Sequence, residues 1–176
     1  MTKSDEIKKN LSLIFFVARK SLNYKHEELV IKTGVTRPIL SAVENGNGNP
    51  TIDSILKLKH ILLISNDFLL MNKSKFQSLK TELKNNYSNY LLNNSKLHII
   101  EKDWKMLFKL SGDYTKPSFS KIIKICRRII NANLNSADEF ITQNATIGAS
   151  LGIIYQTDGF EDNLNFGFWM GSHFFK

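Results

Sequence analysis

Cysteine occurs once, at Cys126, so no intrachain disulfide framework can form and the core must hold the fold. A reducing cytoplasm is the simplest setting for such a chain. Long apolar runs are also missing. No uncharged stretch approaches the roughly 20 residues of a membrane span, so no membrane partner is expected. Leu11 to Ala18 (LSLIFFVA), preceded by Lys8 and Lys9, imitates the apolar core of a secretory leader. Arg19 and Lys20 follow at once, with no small-residue cleavage site. Catalytic patterns are absent too: there is no GxxxxGK[ST], HExxH, paired CxxC or GxSxG. The four histidines are scattered at 26, 60, 98 and 173, and nothing beside Cys126 would activate it. No enzyme, cofactor or metal site is expected. Acid is in short supply: 16 Asp and Glu face 24 Lys and Arg, a net charge of +8. That favours polyanionic partners, and fits equally a soluble protein from a lysine- and asparagine-rich proteome.

What the chain does have is an ordered segment from Lys25 to Asn49, KHEELVIKTGVTRPILSAVENGNGN. Glu27 and Glu28 suit a helix N-terminus, and Leu29 and Val30 point inward. Gly34 follows the last periodic residue, where a left-handed backbone needs no Cβ. Thr36 offers a hydroxyl N-cap, and Pro38 falls in the first turn of the next helix, where its missing N–H breaks no bond. Leu40 and Val43 repeat at helical spacing, and Asn45-Gly46 stops the helix. Two short helices around a glycine turn can place the second in a DNA major groove.

This segment resembles the lambda-repressor-like helix-turn-helix family of the Cro/Xre class, over about residues 7 to 70. Thr51 to Leu58 looks like that family's fourth helix, and Ser65 to Leu69 like the start of its fifth. The stretch from about Ser4 to Lys20, with Ile7, Leu11, Ile14, Phe15 and Ala18 inward, is then its first helix. The resemblance implies a five-helix DNA-binding domain at 1–72. It implies a salt bridge between Arg19 and Glu44, and contact with double-stranded DNA through Lys25, His26, Thr36, Arg37, Pro38, Ser41, Ala42, Asn47 and Asn49. Arg37 is the candidate base reader, able to donate twice to guanine, or else a phosphate contact. His26 is either a phosphate donor or an exposed cap residue. Ile39 either touches a thymine methyl or packs on the fourth helix. The loop at Asn47-Gly48 lacks the lysine or arginine common in the family, so it brings no counterion-releasing charge.

Residues 73–176 form a second, mostly helical region outside the resemblance. Phe76, Leu79, Leu83, Tyr87 and Tyr90 step by three and four along one amphipathic helix. That stripe is either a two-helix seam or packs on its own domain. Ile100, Trp104, Leu107 and Phe108 mark another helix. A further helix runs from Ser118 or Ser120 through Ile122, Ile123, Cys126, Ile129 and Ile130. Lys121, Lys124, Arg127 and Arg128 line its other face, as a second nucleic-acid contact or a solvated surface. Cys126 lies on the apolar stripe and reads as buried and inert. Ser136, Asp138 and Glu139 begin a short helix. The aromatic, glycine-rich end reads as a β-hairpin: Leu151 to Gln156, a turn at Asp158-Gly159, then Asn165 to Phe175.

The sequence therefore predicts a mainly α protein, with a terminal hairpin as its one β feature. The leading functional expectation is a cytoplasmic transcriptional regulator, homodimeric on a palindromic operator. Phe76, Leu79, Leu83, Tyr87, Phe168 and Trp169 are its candidate interface. The alternatives are an antitoxin-like autoregulator whose C-terminal region binds a protein partner, or an interaction protein with a degenerate helix-turn-helix.

Overall fold

Thr2 opens the first helix with a reciprocal cap. Its hydroxyl accepts from Asp5 N at 3.1 Å, and the Asp5 carboxylate accepts from Thr2 N at 3.0 Å. Helix α1 then spans Lys3–Ser21, so the cap falls two residues before the expected Ser4. The computed structural model describes residues 1–155 and 160–175. Within them the chain is mainly α, with ten α-helices and no strand. The next three helices are α2 (His26–Thr33), α3 (Arg37–Glu44) and α4 (Ile52–Ile61). After them, Ser65 caps only a single 3-10 turn, Asn66–Phe68, where a fifth helix was expected. Then come α5 (Lys73–Glu82), α6 (Lys84–Asn93), α7 (Glu101–Leu110), α8 (Lys116–Asn133), α9 (Glu139–Ile154) and α10 (Phe160–Trp169). A π-helical turn, Met170–Phe174, continues α10. No helix among the described residues is long and apolar enough to cross a membrane.

The expected hairpin gives way to two helices. Leu151 lies inside α9, and Asn165 to Phe174 belong to α10 and its π turn. Asp158-Gly159 lies outside the described residues. The reason is the spacing of glycines. Gly148 and Gly167 face each other so closely that a Cβ on either would overlap the carbonyl oxygen of the other. Gly152 meets the Asn163 backbone in the same way, and Gly171 meets that of Asn144. Two antiparallel helices thus touch backbone to backbone. Each helical glycine costs about 1 kcal/mol relative to alanine, which the close dispersion contact offsets. Asp138, not Ser136, caps α9, accepting from Phe140 N at 2.9 Å. The helix is 16 residues long and buried from Thr142 to Ile154, so it shows no one-sided apolar period.

The residues expected at a dimer interface take internal positions. Phe76, Leu83, Tyr87, Phe168 and Trp169 are all buried within the chain, and Leu79 is half-buried. The stripe and the aromatic tail pack on each other: ring centroids lie 5.6 Å apart for Phe76–Phe166, 5.5 Å for Tyr87–Phe166 and 5.4 Å for Tyr87–Trp169. The stripe is also not one helix, since α5 ends and α6 begins around Leu83. Most of these side chains are therefore occupied by the chain's own core, with Leu79 partly open.

Residues 1–72 and 73–176 share one hydrophobic core. Helix α9 packs on α1 as well as on α8 and α10. Its N-terminal end carries two buried amides that reach the N-terminal helices. The Gln143 amide donates to Ala18 O at 2.9 Å and Leu62 O at 3.0 Å, and its oxygen accepts from Ser21 Oγ at 2.6 Å. Asn144 accepts from Ser65 N at 2.8 Å and donates to Leu63 O at 2.8 Å. Leu63 has a positive φ of 56°, and its carbonyl is one of the polar groups this clasp satisfies.

Candidate nucleic-acid interface

The turn between α2 and α3 follows from its residues. Gly34 adopts φ 72°, the left-handed region, and its N–H returns to Val30 O at 2.8 Å. Thr33 tightens the corner, donating to Leu29 O at 2.6 Å and accepting from Val35 N at 3.1 Å. Thr36 takes the extended backbone of an N-cap but makes no capping hydrogen bond with its side chain, which leaves the hydroxyl for other partners. Arg37 and Pro38 open α3. Leu40, Val43 and Glu44 lock its inner side, while Thr36, Arg37, Pro38 and Ile39 are exposed and Ser41 and Ala42 half-buried.

Glu44 is the anchor of this arrangement. The Arg19 guanidinium grips it from α1 through Nε and through Nη2 at 3.0 Å, and Arg19 Nη1 also donates to Tyr24 O at 2.8 Å. His26 Nε2 lies 2.8 Å from Glu44 Oε2, the oxygen that also accepts from Arg19 Nη2. Burial pushes the Glu44 carboxyl up, but the hydrogen bonds and charges of Arg19 and His26 outweigh it, and the net shift is downward. His26 is thus neither a free phosphate donor through Nε2 nor an exposed cap residue; it ties the first turn of α2 to the end of α3.

Arg37 rests at the surface. Its Nη1 donates to Glu27 Oε1 at 2.9 Å, with side chains 65% and 58% exposed. A pair that open contributes little to stability and releases Arg37 readily to a better partner. Lys25, Asn47 and Asn49 are exposed around the same helix, and Asn47 N donates to Ala42 O at 2.8 Å. Gly46 and Gly48 both take positive φ, 70° and 73°, the left-handed region that glycine enters without strain.

No family model matches this chain, and no curated protein or solved structure matches it either. What can be said of the site therefore rests on its own geometry.

That geometry includes residues that sequence reasoning did not assign to the site. Lys116, at the start of α8, donates to Asn45 Oδ1 at 2.8 Å, at the C-terminal end of α3. Lys116, Lys20 and Arg19 surround the Phe16 ring at 5.6, 5.7 and 5.8 Å from its centroid. A cavity of about 500 Å³ opens between α3 and α8, lined in part by Ser41, Asn45, Lys20 and Lys116. Lys116 stands 71 residues from Asn45, and only the packing of α8 on α1 joins them. No local pattern announces it. Elsewhere on α8, Arg128 pairs with the buried Asp103, while Arg127 Nη1 points to Ser21 and Gln143 at 3.4 Å. Two of the four basic residues of that face thus have internal partners. Among the described residues, no group of three or more His, Cys, Asp or Glu side chains could hold a metal ion.

Proposed function

We propose that this protein is a sequence-specific DNA-binding transcriptional regulator. Its N-terminal segment is read as a lambda-repressor-like helix-turn-helix module with α3 as the recognition helix. The observation that carries this reading is the division of α3. Leu40, Val43 and the Arg19–Glu44 pair fix one side, while Thr36, Arg37, Pro38 and Ile39 are exposed at its N-terminal turn. A helix held rigidly at its back with its N-terminal residues outward suits entry into a major groove about 12 Å wide. The positive net charge suits the polyanion.

Arg37 is the proposed base reader, with Ser41 and Ala42 one turn further along the same flank. Thr36, Lys25, Asn47 and Asn49 are the proposed backbone contacts. With few polar readers on α3, DNA shape supplies part of the specificity. Two chains acting as a homodimer on a palindromic operator belong to the same proposal, since pairing raises avidity without new base contacts. Genome-wide recovery of protein-bound DNA fragments tests it. Enrichment of a shared inverted repeat supports the reading; recovery indistinguishable from input DNA sinks it.

A further inference from the structure

Beside α3 the cations of Lys20 and Lys116 border one recess, which the Glu44 carboxylate also lines. Glu44, the nearest buried acid, is already held by Arg19 and His26. Neither lysine takes part in an ion pair among the described residues. Both stand within reach of one Phe16 ring, whose side chain is buried and forms a fixed floor. Burial, and then the neighbouring charge of Arg19, lower the Lys20 pKa; Glu44 opposes this, and Lys124 adds to it. Two ammonium groups bordering one recess favour an anion that can sit between them. The cavity they share is also lined by the Ser41 hydroxyl and the Asn45 amide.

We propose that this recess seats a backbone phosphate of the bound DNA, so that α8, outside the helix-turn-helix segment, contributes directly to the DNA contact. The proposal rests on the DNA-binding reading above and extends it. A helix lying in the major groove has a sugar–phosphate strand along each flank. Ser41 follows Arg37 by one turn on α3, and Lys116 is hydrogen-bonded to the residue that ends that helix. A strand passing this flank meets two ammonium groups, a hydroxyl and an amide, all suited to phosphate oxygens. The cation that the Asn47-Gly48 loop lacks is supplied from the other half of the chain.

The test uses full-length protein and short duplexes, one carrying the selected operator and one scrambled. Lys116→Gln should weaken both duplexes by the same factor, about fivefold at 0.15 M salt, and flatten the log–log salt slope by about 0.9. Lys20→Gln/Lys116→Gln should double that change in slope, and Lys116→Arg should restore the wild-type slope. Lys84→Gln/Lys96→Gln removes the same charge from exposed sites on and after α6 and should leave the slope unchanged. Melting curves that match wild type show that each variant folds. An unchanged slope for Lys116→Gln, in a wild-type protein that binds DNA, overturns the seat and leaves the DNA-binding reading standing. An equal fall in the Lys84/Lys96 control also overturns it, as a net-charge effect. Wild-type protein that binds neither duplex overturns both readings. In that event, chemical shifts of Phe16 and Ser41 that move with inorganic phosphate, and cease to in Lys116→Gln, would reassign the recess to a free anion.

Discussion

Glu44 sets the orientation of α3, and its replacement shows how much the anchor contributes. Glu44→Ala leaves the Arg19 guanidinium buried with only Tyr24 O as a partner. Breaking a buried pair from one side costs about 3–5 kcal/mol, and the remaining carbonyl bond argues for the lower end; chemical denaturation measures it. The same residue imposes a pH dependence. Its folded pKa lies below that of an ordinary glutamate, so its stabilisation is complete above the ordinary value and fades as pH falls through the folded one. Glu44→Gln should therefore flatten the acid limb of the stability profile below about pH 4.5 while lowering stability at neutral pH. Arg37 is the opposite case, an exposed side chain with little to do for the fold. Arg37→Ala should melt within about 0.5 kcal/mol of wild type. It should cost about 1–3 kcal/mol of operator binding and much less on scrambled duplex. Equal losses on the two duplexes would make Arg37 a phosphate contact.

At the scale of elements, helices with one apolar side were legible and a helix without one was not. The residues from Glu27 to Val43 announce α2, its glycine turn and α3, because each carries an inward stripe and a stop signal. Helix α9 is buried all round, so its composition carries no period to read. In α10, aromatics and glycines that suit strand edges instead build a helix face, with glycine where another backbone passes. Gly148→Ala tests this explanation. Its methyl would overlap the Gly167 carbonyl, and neither helix can yield without moving the core. A loss of roughly 3 kcal/mol or more is expected, the upper range for overpacking; the midpoint of urea unfolding reports it. An alanine variant as stable as wild type would mean the helices stand further apart than described. In the candidate interface, Arg37 and Lys25 were visible because they are local to the α2–α3 segment. Lys116 was invisible because a tertiary contact, not a spacing, brings it there.

On the scale of the whole molecule, the N- and C-terminal halves are joined through buried amides rather than by a linker. Gln143 and Asn144 satisfy backbone groups at the ends of α1 and α4, so α8 and α9 hold a fixed position relative to α3. A proposed dimer must therefore be built on surfaces that this shared core leaves outside. Phe168 discriminates between the two possibilities. It is buried beside the His173 ring, 5.8 Å between centroids. Phe168→Ala should lower stability by about 3–5 kcal/mol, while sedimentation velocity at micromolar concentration gives the same assembly state as wild type. Dissociation of a wild-type dimer into folded monomers by this change would return the aromatic tail to the interface.

The backbone contact between α9 and α10 also bears on descent. Gly148, Gly152, Gly167 and Gly171 each face a peptide group where a Cβ would collide, so substitution there is purged whatever the protein recognises. The outer flank of α3 has the reverse freedom, since the exposed Arg37 and Ile39 can change at little cost to folding. Divergent relatives should thus be recognisable by two glycine pairs, each spaced four residues apart, in a background where the outer flank of α3 has drifted.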